Sequence, residues 1–195
     1  MRFILSILVV ISLGISCQQY KSITPHIEIQ TEKGDIELEL FSEKAPKTVA
    51  AFLSYIDSGF FENSNFYRVL NLDNQPSNAP KTELIQGGIW KTNITKAQSI
   101  AGIAHESTQQ TGIKHTDGVI SLARSAPGTA GTEFFICLGK QPGLDFGGEN
   151  IADKQGFSAF GRVVKGMTVL RKIYRQREYE QYFKPPIAIY KIVRL

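Results

Sequence analysis

The chain holds little of what disulfide-stapled folds and metal enzymes depend on. Cysteine occurs twice in 195 residues, as Cys17 and Cys137, too rarely for a disulfide framework. Cys137 lies inside the apolar run FFICL and is expected to pack as a small apolar side chain. The three histidines, His26, His105 and His115, are dispersed. Neither they nor the cysteines have metal-ligand spacing, so no metal site and no cofactor is expected. No histidine sits in a nucleophile–base motif, which argues against a hydrolase, and the His105–Glu106 pair reads as structural or solvated. There is no repeat, low-complexity block or long linker. Strong charge is also missing: the net value is +4, and the densest basic stretch, LRKIYRQREYE at 170–180, is interrupted by glutamates. That stretch reads as the solvated face of a helix, not as a nucleic-acid surface. The longest apolar run, Phe3 to Ile15, is too short to span a bilayer comfortably.

What is present suits one domain with a real core, since 42% of residues are apolar and 21% charged. Arg2 followed by the apolar run reads as an export signal. The run ends in small residues and Cys17, then Gln18 and Gln19. This resembles a bacterial lipoprotein signal, which implies that Cys17 becomes a lipidated first residue. Leu13 lies four residues before it, where three is usual. Ordinary cleavage nearby and an uncleaved anchor are the competing readings. The expected organisation is a signal over 1–17, a short tether over 18–25 and one domain over 26–195. The protein is expected to be exported to the periplasm or cell envelope, tied to a membrane by its lipid, and monomeric.

Within the domain, HIEIQTEKGDIELELF (26–41) alternates apolar and polar around Gly34 and predicts a hairpin with Ile27, Ile29, Ile36, Leu38 and Leu40 inward. Pro46 and the stripe Val49, Phe52, Leu53, Ile56 predict a helix ending at Gly59. Strands are expected at 65–70, 84–87, 118–123, 133–138 and 158–166. A second helix follows Gly166, and a final strand takes in KPPIAIYKIVRL. Many short strands, two helices and no βαβ rhythm predict a closed antiparallel barrel capped by helices.

One strand carries an anomaly. In NFYRVL (65–70), alternation places Phe66, Arg68 and Leu70 on one face, with an arginine among apolar neighbours. NFYRV, LIQGG, GVISLAR, GTEFFICL and FSAFGRVVKGM occur in that order. Together they resemble the cyclophilin family of peptidyl-prolyl cis–trans isomerases, from about residue 26 to the end. The resemblance implies an eight-stranded barrel with two helices and proline-containing peptides or unfolded proteins as partners, with folding of envelope proteins as the expected role. It implies Arg68 as the catalytic group, Phe135 and Leu84 against the proline, and Gln86 on the substrate backbone and helping to orient the arginine. Ala123 and Arg124 form the segment that pairs with the peptide, and Leu144 and Phe157 complete the pocket. A catalytically weak proline-peptide binding module is the alternative. Of four departures from the family, the first three motivate it. An insert separates Arg68 from Gln86 over 71–83. Glu83 stands where a pocket phenylalanine is common, and Gly143 where a tryptophan is common. Phe157 replaces a histidine. Glu133 also stands where glutamine is usual.

Overall fold

The computed structural model describes residues 24–195; the signal and Cys17 lie outside them. The elements run β1 (His26–Thr31), β2 (Gly34–Leu40), α1 (Pro46–Asp57), β3 (Ser64–Leu70), β4 (Leu84–Gly88), α2 (Ile94–Ser99) and α3 (Thr108–Thr111). They continue with β5 (Val119–Leu122), β6 (Phe134–Cys137), a single 3-10 turn at Pro142–Leu144, β7 (Ser158–Lys165), α4 (Met167–Tyr174), β8 (Glu178–Tyr179) and β9 (Tyr182–Arg194). The strands follow the order β1-β2-β7-β5-β6-β4-β3-β9-β8, and β1 also pairs with β9. Eight antiparallel strands therefore close into a barrel, which leaves no long free edge. β8 is an extra two-residue strand hairpinned onto β9. The expected eight-stranded barrel is found, with α1 and α4 as its larger helices. The expectation of only two helices is corrected by α2 and α3, which are short and carry little apolar periodicity. The helix expected through 170–180 ends at Tyr174, and Glu178–Tyr179 turns into the sheet.

The barrel interior is filled by alternate residues: Ile27, Ile29, Ile36, Leu38 and Leu40 are fully buried. Phe52 of α1 meets Phe61, Phe134 and Phe160 at centroid distances of 5.0–5.6 Å. Pro46 opens α1 but Ala45, its N-cap, offers no side-chain acceptor. Glu106 supplies one from far along the chain. Its carboxylate accepts from the backbone N–H of Lys47 (3.2 Å) and Thr48 (2.8 Å) and from the Thr48 hydroxyl (2.7 Å). A buried anion at a helix N-terminus satisfies orphan donors and opposes the helix dipole. Glu106→Ala strands those donors, with an expected cost of about 2–4 kcal/mol. Thermal unfolding of the variant beside wild type checks this.

Candidate active site

Alternation in β3 fails where the site begins. Phe66 pairs with Gly87 of β4, and Arg68, two residues on, pairs with the adjacent Gln86. Tyr67 is the extra residue of a β-bulge, which re-aims the side chains after it. Phe66 and Val69 thus both enter the barrel core, while Arg68 and Leu70 face outward. The expectation that Phe66 shares a face with Arg68 is corrected by that bulge. On the outer face, pairing aligns Arg68, Gln86, Phe135 and Ser121 in one row across β3, β4, β6 and β5. Leu70, Leu84 and Cys137 form the adjacent row. Strands lie about 4.8 Å apart, so Arg68 is about two strand spacings from Phe135 along that row.

Two neighbouring features result. One is a cavity of about 350 Å³ lined by Arg68, Gln86, Ala123, Arg124, Tyr67, Glu133, Lys91 and Tyr182, among others. The other is an apolar patch, separate from the barrel core, formed by Leu84, Phe135, Cys137 and Leu144, with Ala123, Leu70 and Phe157 packed on it. Ala123 belongs to both. Phe134 and Phe135 part company as strand geometry requires: Phe134 enters the barrel core and Phe135 the outer patch. Phe135 meets Phe157 edge-on at 5.3 Å. Cys137 is fully buried, and burial pushes its thiol well above the usual range.

Beneath the patch lies an arrangement that sequence reading missed. His115 Nδ1 lies 2.8 Å from Asp145 Oδ1, and His115 Nε2 lies 3.1 Å from the Ser121 hydroxyl. The order of groups is that of a nucleophile–base–acid chain. Ser121 is fully buried, however, so no substrate reaches it. The chain is packing: the His115 ring stacks under Phe135 at 5.9 Å, and Asp145 anchors the turn that carries Leu144. Burial works to raise the Asp145 carboxyl, but hydrogen bonds from the His115 side chain and backbone and the nearby Lys114 charge leave it lowered.

A second network orients the arginine. Arg68 Nη1 donates to Gln86 Oε1 (3.3 Å), Gln86 Nε2 to the Tyr67 hydroxyl (2.8 Å), and that hydroxyl to Glu133 Oε2 (2.8 Å). Every donor points toward the carboxylate. Burial raises the Glu133 carboxyl, against bonds from Tyr67, Thr132 and the Ile89 and Trp90 N–H groups. Burial and the Glu133 charge raise the Tyr67 hydroxyl. Gly88 makes the room: a Cβ there would meet the Glu133 carboxylate at 2.5 Å. Arg68 Nε and Nη2 also donate to Gln181 Oε1, at 3.2 and 2.6 Å. Gln181, Tyr67 and Tyr182 were invisible as site residues because only the bulge and the β8–β9 turn bring them there, whereas Glu133, one of the departures noted in the sequence, lines the cavity.

The Arg124 side chain is only 1% exposed. It grips Asp153 (2.6 and 2.9 Å) and the Gly156 carbonyl, and lies over the Phe157 ring. Its hydrogen bond lowers the Asp153 carboxyl from 3.8 to about 2. A lowered folded-state value stabilises the fold above the unfolded value, and that contribution fades as pH falls from about 4 toward 2. The melting difference between wild type and Asp153→Asn should therefore shrink across that window, as pH-dependent unfolding would show.

The departures take definite places. Glu83 does not wall the cavity: its carboxylate accepts from the Tyr174 hydroxyl of α4 at 2.7 Å. Gly143 is backed by Asn150, whose Oδ1 lies 1.6 Å from where a Cβ would stand. The insert is a loop stitched by its own amides. Gln75 bonds the Asn71 and Thr82 carbonyls, and Asn74 bonds that of Val69. Among the described residues, no group of three metal-ligating side chains is found, and no helix is long and apolar enough to cross a membrane.

Comparison with known proteins agrees across nearly the whole described chain. The family described as cyclophilin type peptidyl-prolyl cis-trans isomerase/CLD matches residues 26–194. Peptidyl-prolyl cis-trans isomerase B of Escherichia coli K12 is 34% identical over 148 residues, covering 75% of this chain and 82% of that protein. Peptidyl-prolyl cis-trans isomerase A of Dickeya dadantii is 30% identical over 174 residues, covering 88% and 83%. A crystal structure of a Cryptosporidium parvum cyclophilin type isomerase superposes with a TM-score of 0.68 at 23% identity, covering 89% of this chain and 98% of that one. A second structure of that protein, in the presence of the dipeptide Ala-Pro, gives 0.66 at 24% identity, covering 86% and 97%. These two establish likeness of fold.

Proposed function

Because the chain belongs to the cyclophilin-type peptidyl-prolyl cis–trans isomerase family, whose class reaction interconverts cis and trans X–Pro bonds, we propose that Arg68 is its electrostatic catalyst. An X–Pro bond isomerises slowly because amide resonance imposes a barrier of about 18–20 kcal/mol. Twisting the bond breaks no covalent bond and moves no proton. The enzyme needs only to favour the twisted geometry over both planar ones. In that geometry the prolyl nitrogen becomes pyramidal and regains its lone pair. A fixed cationic donor aimed at it stabilises the twist, and a guanidinium supplies charge and rigid geometry together.

The observation that carries this is the setting of Arg68. Three of the five guanidinium N–H donors are engaged by Gln86 and Gln181. Two remain, on a side chain that lines the cavity beside the apolar patch. Leu84, Phe135, Leu144 and Phe157 form the floor for the proline ring. Gln86 holds the arginine and meets the substrate backbone. Ala123 and Arg124, just past the paired residues of β5, receive the extended peptide through their backbone. The features that motivated a weak binding module lose force here, since Glu83 faces away and Asn150 fills the space at Gly143. Purified protein at catalytic concentration should accelerate cis-to-trans conversion of a short X–Pro peptide. Saturable binding without acceleration would make it the binding module.

The location of the work follows the leader: Phe3 to Ile15 and Cys17 suit export and lipidation, placing the isomerase in the cell envelope with unfolded proteins as clients. Labelled palmitate should enter the protein in a bacterial host and be lost in Cys17→Ser. Equal labelling of that variant would contradict lipidation.

A further inference from the structure

We infer that Gln181 is a positioning residue that holds the Arg68 guanidinium in its working orientation, and that the 71–83 insert fixes Gln181 in turn. This rests on Arg68 being the catalyst. The two residues are 113 apart in sequence, and the β8–β9 turn brings them together. Gln181 makes the shortest bond to the guanidinium, 2.6 Å against 3.3 Å from Gln86, and holds two of its donors on one oxygen.

Every polar group of Gln181 is engaged. Its Nε2 donates to the Asn74 carbonyl of the insert (3.0 Å), which decides that the amide oxygen faces the cation. Its backbone N–H donates to the Glu178 carboxylate (2.7 Å), and its carbonyl accepts from Val69 N–H (2.8 Å), next to Arg68. Asn74 is itself held on β3, donating to the Val69 carbonyl at 3.1 Å. The insert and the β8–β9 turn thus close on Arg68 from two sides.

Two further points separate this from ordinary turn packing. Glu180 and Gln181 have φ of 50° and 71°, and Tyr179 pairs with Tyr182 across them. Two left-handed residues in a two-residue turn favour asparagine and glycine. A glutamine there is a backbone outlier whose side chain reaches the arginine. The clasp is also a neutral amide. Among the described residues Arg68 makes no ion pair. A carboxylate would orient the guanidinium equally well but offset its charge. An amide orients it and leaves the charge for the substrate.

Gln181→Gly removes the side chain at a position whose backbone suits glycine. Gln181→Asn also tolerates the left-handed backbone but is one methylene too short for the clasp, and serves if the glycine variant fails to fold. Either variant should keep the wild-type melting temperature and KM within about twofold while kcat falls about 10–100-fold, the scale set by misplacing a catalytic group. In the Arg68→Ala background, Gln181→Gly should cause no further loss, because its effect passes through the arginine. Wild-type kcat in both Gln181 variants, or an equal further loss without Arg68, would overturn the inference. An Arg68→Ala enzyme as active as wild type would instead sink the reading beneath it.

Discussion

Arg68→Ala should lower kcat/KM for X–Pro peptides by about 10²–10³-fold, the usual loss when a preorganised donor to developing charge is removed. Stability should hardly move. Arg68 projects from the outer face of the barrel, its partners Gln86 and Gln181 are neutral and half-buried, and no buried charge is stranded. A loss below about 1 kcal/mol is expected, as for exposed positions generally. Arg68→Lys should recover little: it keeps the charge but loses the planar fork that Gln86 and Gln181 hold. Steady-state kinetics beside thermal unfolding separates the two effects, since a structural arginine would cost stability first.

Phe135→Ala should have the largest combined effect. Its ring packs on His115 and Phe157 and sits with Leu84, Cys137 and Leu144. Truncating a phenylalanine in such surroundings costs about 3–5 kcal/mol, and each kcal/mol lowers Tm by about 2–4 °C in a domain of this size. The proposed proline floor is lost at the same time, so KM should rise. Phe134→Ala is the control. The neighbouring ring has the same volume but fills the barrel core against Phe52, Phe61 and Phe66. It should cost as much stability, yet the folded fraction should bind peptide normally. Equal KM values for the two variants would refute the division of faces.

That division was legible in the sequence, because FF in a strand must face both ways. The hairpin at 26–41, α1 and the strands were legible for the same reason, period 2 or a stripe at 3.6. The face of Phe66 was not. A bulge adds one residue through the pairing of two strands, and nothing in NFYRVL marks it. Glu106 was placed only as structural or solvated, because the helix it caps begins 60 residues earlier. The Arg124 grip on Asp153 depends on how a loop folds back, which periodicity cannot reveal. Gln181 directly follows the 170–180 stretch that reads as a charged helix face, and the left-handed backbone at Glu180 and Gln181 is not marked there. The arginine proposed as catalyst stands out in the sequence as a cation in an apolar strand. Of its two partners, Gln86 was legible through the resemblance and Gln181 was not, since a turn and an insert bring it there.

The most direct test of the account is the exchange rate between cis and trans X–Pro peptide, measured by NMR with peptide in excess over wild type and over Arg68→Ala. The account predicts saturable, rapid exchange with wild type. With the variant it predicts peptide still broadened by binding but exchanging at close to the uncatalysed rate. Undiminished exchange over Arg68→Ala would contradict it, and the catalytic group would have to be sought elsewhere in the cavity.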